Sequence, residues 1–346
     1  MPSRVHDIAA NPDTLVILKT PTTDFALWEP QDGEEDTQPD LDGDVLMPVE
    51  AHCTHVRNTT FTDNEIHYRV SSQHLMHVSP RFTTMLSGST WAEGVRSEVD
   101  GMYHITIEDY DEDALLTLFN IIHHRNKNVP RKVTLEMLTK VAVLVDYWDC
   151  IEVVEILSEV WIEDLRKTST VPGTYCRDTI LWLCVSWVFK LASEFDTTTR
   201  VVVRKATGPI RTLGLPIPPH VIDKLDDARN AAIEMVMTFL DFWQETLGHP
   251  DYECSIIDAY TDRCGCYLLG VLTRGLYLMN LRPVRPVAPF EGRDFVGSWC
   301  RIVDMRNFNQ PIVKFGHSCT LAAKICTDMA EMEKNAKGLL LAGFQS

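Results

Sequence analysis

The chain has 346 residues, of which 45% are apolar, with only 17 glycines and 18 prolines. That is enough apolar material for two folded domains or one large one. A formal net charge of −17 argues against a nucleic-acid surface, because phosphate binding relies on clustered Lys and Arg. Eight of the acids lie between Glu29 and Asp44 with no base among them, and without them the balance is −9.

No apolar run reaches the roughly 18 residues that a membrane span needs. The nearest, "TILWLCVSWVFKLA" from Thr179, is too short and meets Lys190. The opening "MPSRVHDIAANPD" lacks the basic-then-apolar order of a secretory signal. An intracellular protein, cytoplasmic and/or nuclear, with no membrane or nucleic-acid partner is therefore expected. The ten cysteines are dispersed, and several, such as Cys150 and Cys184, sit in apolar segments, so reduced and partly buried thiols are expected.

In chain order, "DTLVILK" (Asp13 to Lys19) reads as a short strand. The acidic stretch at about 29–60 offers little apolar surface and reads as a disordered insertion. Structure resumes at "EIHYRV", where Ile66, Tyr68 and Val70 alternate with polar residues. Ser71 and Ser72 can cap a short helix carrying Leu75, Met76 and Val78. Ser79-Pro80 then places an N-cap serine before a first-turn proline, and Phe82, Met85 and Leu86 share one face of a second short helix. "MYHITI" (Met102 to Ile107) is an alternating strand. An Asp-capped helix follows, with Leu115, Leu118, Phe119 and Ile122 at helical spacing.

Thr134 caps the next helix, with Leu135, Leu138, Val141, Ala142 and Val145 inward. Asp149 with Glu152 resembles a capping box opening another. This order gives an α+β domain, a small sheet flanked by a helical cluster, over 1–167. An all-α region follows over 172–346. In it, Arg177 to Leu191 is apolar on nearly every face and reads as an enclosed helix. A long amphipathic helix runs from Ile222 to about Leu247 with Leu225, Ile233, Val236, Leu240 and Trp243 inward. Two more span Ile256 to Met279 and Thr320 to Leu341. "RPVRPVAPFEG" between them is too proline-rich for helix or central strand.

No catalytic constellation emerges. G-x-S-x-G, G-x-G-x-x-G, the phosphate-loop pattern and Cys/His nucleophile signatures are all absent. His74 and His77 stand three apart on a helix, with His67, His123 and His124 elsewhere, but no carboxylate at ligand spacing joins them. Asp40-Leu-Asp-Gly-Asp44 alternates acids like a calcium loop, yet Val45 and Ala51 fill the positions that need glycine and glutamate. Cys254, Cys264, Cys266 and Cys300, with His249 and His317, form the densest group of soft ligands. Their spacing does not match the paired C-x-x-C of zinc sites, so packing is the expected role. The reading is a non-enzyme with no cofactor and no metal.

The elements from Asp13 to Leu165 resemble a BTB/POZ domain, interrupted by the acidic insertion. The strand with Tyr68, the short helix with Leu75, the Ser79-x-x-Phe82 pair and the second short helix have that family's spacing. "MYHITIEDYDEDALLTLFNIIHHR" is similar to its next strand and third helix, and "VTLEMLTKVAVLVDYWDCIEVVEILSEVWIEDL" to its closing helical hairpin. Ser71 stands where many members carry a histidine, and Ile122-His123-His124 replaces an aromatic helix end. "VSSQHL", "NIIHHRNKNVPRKVTLEML" and "ILWLCVSWVF" look most like fungal BTB-domain proteins with a helical C-terminal region.

The resemblance implies protein–protein interaction, commonly homodimerisation through the first strand and first helix. Here those places are held by Leu15, Val16 and Ile17 with Leu75, Met76 and Val78. It further implies that "TWAEG", through Trp91 and Glu93, could supply the apolar-x-Glu motif by which some members recruit a cullin-type ubiquitin ligase. The alternatives are a metal-binding sensor or an enzyme built on the C-terminal cysteines.

Overall fold

The computed structural model describes residues 4–22, 24–29, 65–88, 91–254, 261–298, 319–321, 325 and 331–344. The acidic insertion and its calcium-like run lie outside the described residues. The architecture is mixed α+β, with a four-stranded sheet and many helices. The chain divides into two compact units, 1–130 with 148–153, and 131–147 with 154–346. The division thus falls before residue 167, and most of the two-helix hairpin belongs to the second unit. Among the described residues, no helix is long and apolar enough to cross a membrane.

The first unit holds β1 (Arg4–Asp7), β2 (Thr14–Lys19), β3 (Ile66–Val70), α1 (Ser72–Val78), α2 (Pro80–Leu86), β4 (Tyr103–Glu108) and α3 (Glu112–Ile122). The sheet order is β1-β3-β2-β4. β2 runs antiparallel to β3 and parallel to β4, while β1 lies parallel to β3. Register explains the core. Val16 stands opposite both Tyr68 and Ile105, and Leu18 opposite both Ile66 and Ile107. These six side chains form two buried rows on one face of the sheet, as a period of two requires.

The α3 stripe of Leu115, Leu118, Phe119 and Ile122 is buried as its spacing predicts. Phe119 meets Tyr68 edge-on, with ring centroids 5.3 Å apart. Asp111 caps this helix by accepting from the Ala114 amide at 2.9 Å.

β1 has no counterpart in the sequence reading, because only His6 of its four side chains is even half-buried. It is held from outside the strand. Glu112 accepts from Arg4 Nη1 at 2.5 Å and pairs with His6 Nε2 at 2.8 Å, and His6 stacks on Tyr68 at 5.1 Å.

The two short helices follow the Ser-Pro reading closely. Pro80 opens α2, and Ser79 Oγ accepts from the Phe82 amide at 3.1 Å. The same hydroxyl donates to the Trp148 carbonyl. Phe82 stacks on the Trp148 ring at 4.0 Å with both side chains buried. Ser71 holds the N-cap position of α1 without a side-chain bond to the helix; Asp13 provides that cap instead.

The second unit contains α4 (Leu135–Trp148, whose last residue belongs to the first unit) and α5 (Ile151–Thr168, from Val154 onward). α6 (Arg177–Val188), α7 (Ala192–Lys205), α8 (Pro219–Gly248) and α9 (Thr261–Leu278) follow. Thr134 caps α4 through the Met137 amide at 3.1 Å. The capping box at Asp149 does not form as expected: α5 begins at Ile151, and Asp149 instead adopts a left-handed φ of 50°, which aspartate tolerates better than most residues.

α6 is enclosed from Thr179 through Ser186. α6 packs on α7, α7 on α8 and α8 on α9. Leu225, Ile233, Val236 and Leu240 form the buried stripe of α8, while Trp243 is half-buried.

Candidate functional site

The structure separates the predicted interface residues into two groups. β2 is interior to the sheet, with β3 on one side and β4 on the other, so its backbone has no edge to offer a second chain. Val16 and Leu75 are 0% exposed. Both belong to the core of the first unit, whereas the resemblance gives them a place at an interface. Leu15 and Ile17 are half-buried on the opposite face of the sheet. There Leu15 lies between Arg69 and His104, and Ile17 between His67 and Thr106. That face is mixed rather than apolar. The sheet edges are β1 and β4, and Val5 on β1 is 42% exposed.

On α1, Met76 and Val78 remain half-buried and available for contact. Beside them lies an open groove of about 690 Å³ lined by His74, His77, Val78, Ile122, His124 and Glu152, among others. His74 stacks on His123 at 4.9 Å and meets His124 edge-on at 6.2 Å.

The His123 tautomer is fixed by its partners. Nδ1 must donate to the Phe119 carbonyl at 2.8 Å, so Nε2 accepts the Ser71 amide at 2.9 Å. Burial pushes this imidazole below its ordinary pKa, and the neighbouring His74, Arg125 and His124 charges add to that, against the bond to Phe119. Neither nitrogen of His123 is open to a metal or a substrate proton. The groove offers a binding surface of imidazoles and one carboxylate.

Trp91 caps, and Glu93 lies within, a single 3-10 turn (Ala92–Gly94) after α2. Trp91 is 54% exposed and Glu93 half-buried. The turn is seated tightly, since a Cβ on Gly94 would come within 2.1 Å of the Gly88 carbonyl oxygen. Only glycine allows that approach.

The second unit brings three thiols together. Cys254 follows the end of α8, Cys264 lies in the first turn of α9, and Cys319 comes from the segment before residue 321. All three are buried, and their sulfurs lie within 4.8 Å of one another. Among the described residues, this is the one group of three His, Cys, Asp or Glu side chains close enough to hold a metal ion. Burial and hydrogen bonding with Cys254 and Cys319 push the Cys264 thiol strongly upward.

Cys254 and Cys264 belong to the soft-ligand group read from the sequence, whereas Cys319 does not. Its 55-residue separation from Cys264 leaves no local spacing to read. Cys266 and His249 are exposed; Cys300 and His317 lie outside the described residues. Elsewhere Cys150, pushed up to about 12 by burial and the Asp149 charge, and Cys184, raised by burial, are inert core thiols.

No protein-family model, curated protein or solved structure matches this chain. The functional reading therefore rests on the residues and their geometry.

Proposed function

We propose that the chain is a protein–protein interaction module without chemistry of its own, a BTB/POZ-like unit that self-associates and carries a helical C-terminal region. The observation that supports this reading most is the run from β3 through α1, the Ser79–Phe82 pair, α2, β4 and α3. It has the order of elements the resemblance implies, with Ser79 and Phe82 both anchored to Trp148.

Self-association draws on Met76 and Val78 of α1 and on the edge strand β1, whose outer backbone can accept another strand. Sedimentation velocity of the full chain at micromolar concentration tests this. A dimer that dissociates on Met76→Glu with Val5→Glu, while circular dichroism is unchanged, is expected. A strict monomer overturns the self-association.

A second reading, adaptor of a cullin-type ubiquitin ligase, is favoured by the exposed Trp91 at the start of its 3-10 turn. A large aromatic presented at a surface is the residue type that anchors interfaces. It predicts co-purification of a cullin with the unmutated chain and loss of that cullin on Trp91→Ala or Glu93→Ala. Failure of any cullin to co-purify removes it.

A further inference from the structure

We infer that Cys254, Cys264 and Cys319 form a binding site for one thiophilic divalent metal ion, with zinc the ion whose coordination chemistry they match. The inference is independent of the interaction reading.

Three buried cysteines can be simple packing, since a thiol behaves as a small hydrophobe. Packing requires only volume at each position, whereas these three sulfurs also converge on one point and hydrogen-bond around Cys264. Here they arrive from three separate segments: the loop after α8, the start of α9 and the segment before residue 321. Their mutual separation is within 4.8 Å. Zinc–thiolate bonds of about 2.3 Å in tetrahedral geometry set sulfurs roughly 3.8 Å apart. The sulfurs therefore need to close by no more than about 1 Å, which side-chain rotation supplies without moving the backbone.

The environment of Tyr252 gives a second observation. Its hydroxyl is buried and has no hydrogen-bond partner among the described residues. Its ring is seated over the residue next to Cys264. A Cβ on Gly265 would come 2.7 Å from Tyr252 Cδ1, so glycine at 265 is what lets the ring lie there. Three protein thiolates leave one tetrahedral position for solvent, and a buried phenol hydroxyl is a group that needs a polar partner. The position of Cys264 in the first turn of an 18-residue helix further favours the negative charge that a three-thiolate zinc centre carries.

Binding breaks three S–H bonds, sends three protons to solvent and forms three Zn–S bonds; nothing is oxidised. The site would then join the loop after α8, the start of α9 and the segment before residue 321 as a structural clasp, within the second unit alone.

The test uses the full chain and zinc alone. Elemental analysis after expression in zinc-replete cells is expected to give one zinc per chain. After removal of metal by chelator under reducing conditions, alkylation followed by peptide mass mapping is expected to label Cys254, Cys264 and Cys319. Added zinc protects those three while Cys266 continues to react. Cys264→Ser is expected to weaken zinc binding by about tenfold or more, and Cys266→Ser to leave it unchanged. Because the protection experiment is done on the unmutated chain, it decides the matter even where Cys264→Ser fails to fold. Absence of stoichiometric zinc together with no protection overturns the site. So does a mass two hydrogens lighter in the cysteine peptides of the freshly purified protein, which would make the cluster a disulfide pair with a bystander.

Discussion

Asp13 holds Ser72 by both carboxylate oxygens. Oδ1 accepts the Ser72 amide at 2.7 Å and Oδ2 accepts its hydroxyl at 2.6 Å. The residue just before β2 thus caps the first helix after β3, joining helix and sheet through a charged pair of bonds. Burial pushes this carboxyl upward, but the bonds from Ser72 and Thr14 and the Arg96 charge outweigh it and hold it below the usual range. Ser71, which occupies the cap position in sequence, has no side-chain cap bond. Asp13→Ala is expected to destabilise the protein by about 1.5–3 kcal/mol, the range for hydrogen bonds to a charged group. Ser71→Ala should stay within about 0.5 kcal/mol. Urea unfolding of both variants checks this, and equal losses would show that Asp13 is not the cap.

Ser79 does for α2 what the sequence assigns it, and more. Its hydroxyl accepts from the helix and donates to Trp148, fixing the second short helix beside the stacked Phe82–Trp148 pair. Ser79→Ala removes a cap and a buried bond together, at a cost of about 2 kcal/mol. Thr84→Ala is the matched control, since its hydroxyl bonds only to the Pro80 carbonyl at an exposed site, and it should be nearly neutral. Thermal melts that rank Thr84→Ala as the more damaging would contradict this assignment.

The neutral His123 ring joins α3 to the start of α1, and that makes the joint sensitive to acid. The folded protein holds this imidazole below its ordinary value of 6.5, chiefly through burial. The unfolded chain therefore binds the proton more readily, and stability rises with pH across this window. The contribution is complete above 6.5 and is lost as pH falls from there through the lower folded value. A protonated ring cannot accept the Ser71 amide, so the loss has a structural counterpart. His123→Gln should flatten this part of the pH profile of the urea midpoint relative to the unmutated chain. An acid dependence that survives the substitution unchanged would place it on another group.

The elements that the sequence made legible are those whose own side chains carry the pattern. α3 and α6 bury the residues their patterns predict, α8 does so except at the half-buried Trp243, and Ser79-Pro80 marks the start of α2 to the residue. β1 was hidden because its attachment lies in Glu112, more than a hundred positions away, and not in an alternating stripe. α7 was hidden by composition. "DTTTRVVVR" is rich in β-branched residues that weaken helix propensity, yet Phe195, Thr198, Thr199, Val202 and Val203 form one buried face. At the candidate surface, periodicity identified Val16 and Leu75 as apolar, but only the folded strand order, for Val16, and the enclosure of α1, for Leu75, show them to be core. For the thiol cluster, two of three members were visible as soft ligands, and the third joined only when the chain folded.

The clearest case of long-range determination is Arg229, which is 0% exposed in the middle of α8. Its side chain donates five hydrogen bonds. Nε reaches the Ala206 carbonyl at 2.7 Å, Nη1 the Pro289 carbonyl at 2.7 Å and Asn230 Oδ1 at 3.1 Å, and Nη2 the Phe290 and Arg293 carbonyls at 2.9 and 2.7 Å. Every N–H of the guanidinium is used, and the proline-rich "RPVRPVAPFEG" segment is held on carbonyls that no helix or strand satisfies. Burial pushes the guanidinium down from its ordinary value, with the Asp226 and Asp294 charges opposing that, so its charge is balanced by dipoles and nearby carboxylates without a direct pair. Arg229→Met is expected to cost about 3–5 kcal/mol, because several buried carbonyls lose their donor at once. Arg229→Lys should rescue little, since an ammonium has three donors and no planar fork. Limited proteolysis should then open the 282–293 segment first. If Arg229→Met instead melts with the unmutated chain and the segment stays resistant, packing of the prolines holds the loop and the arginine is dispensable.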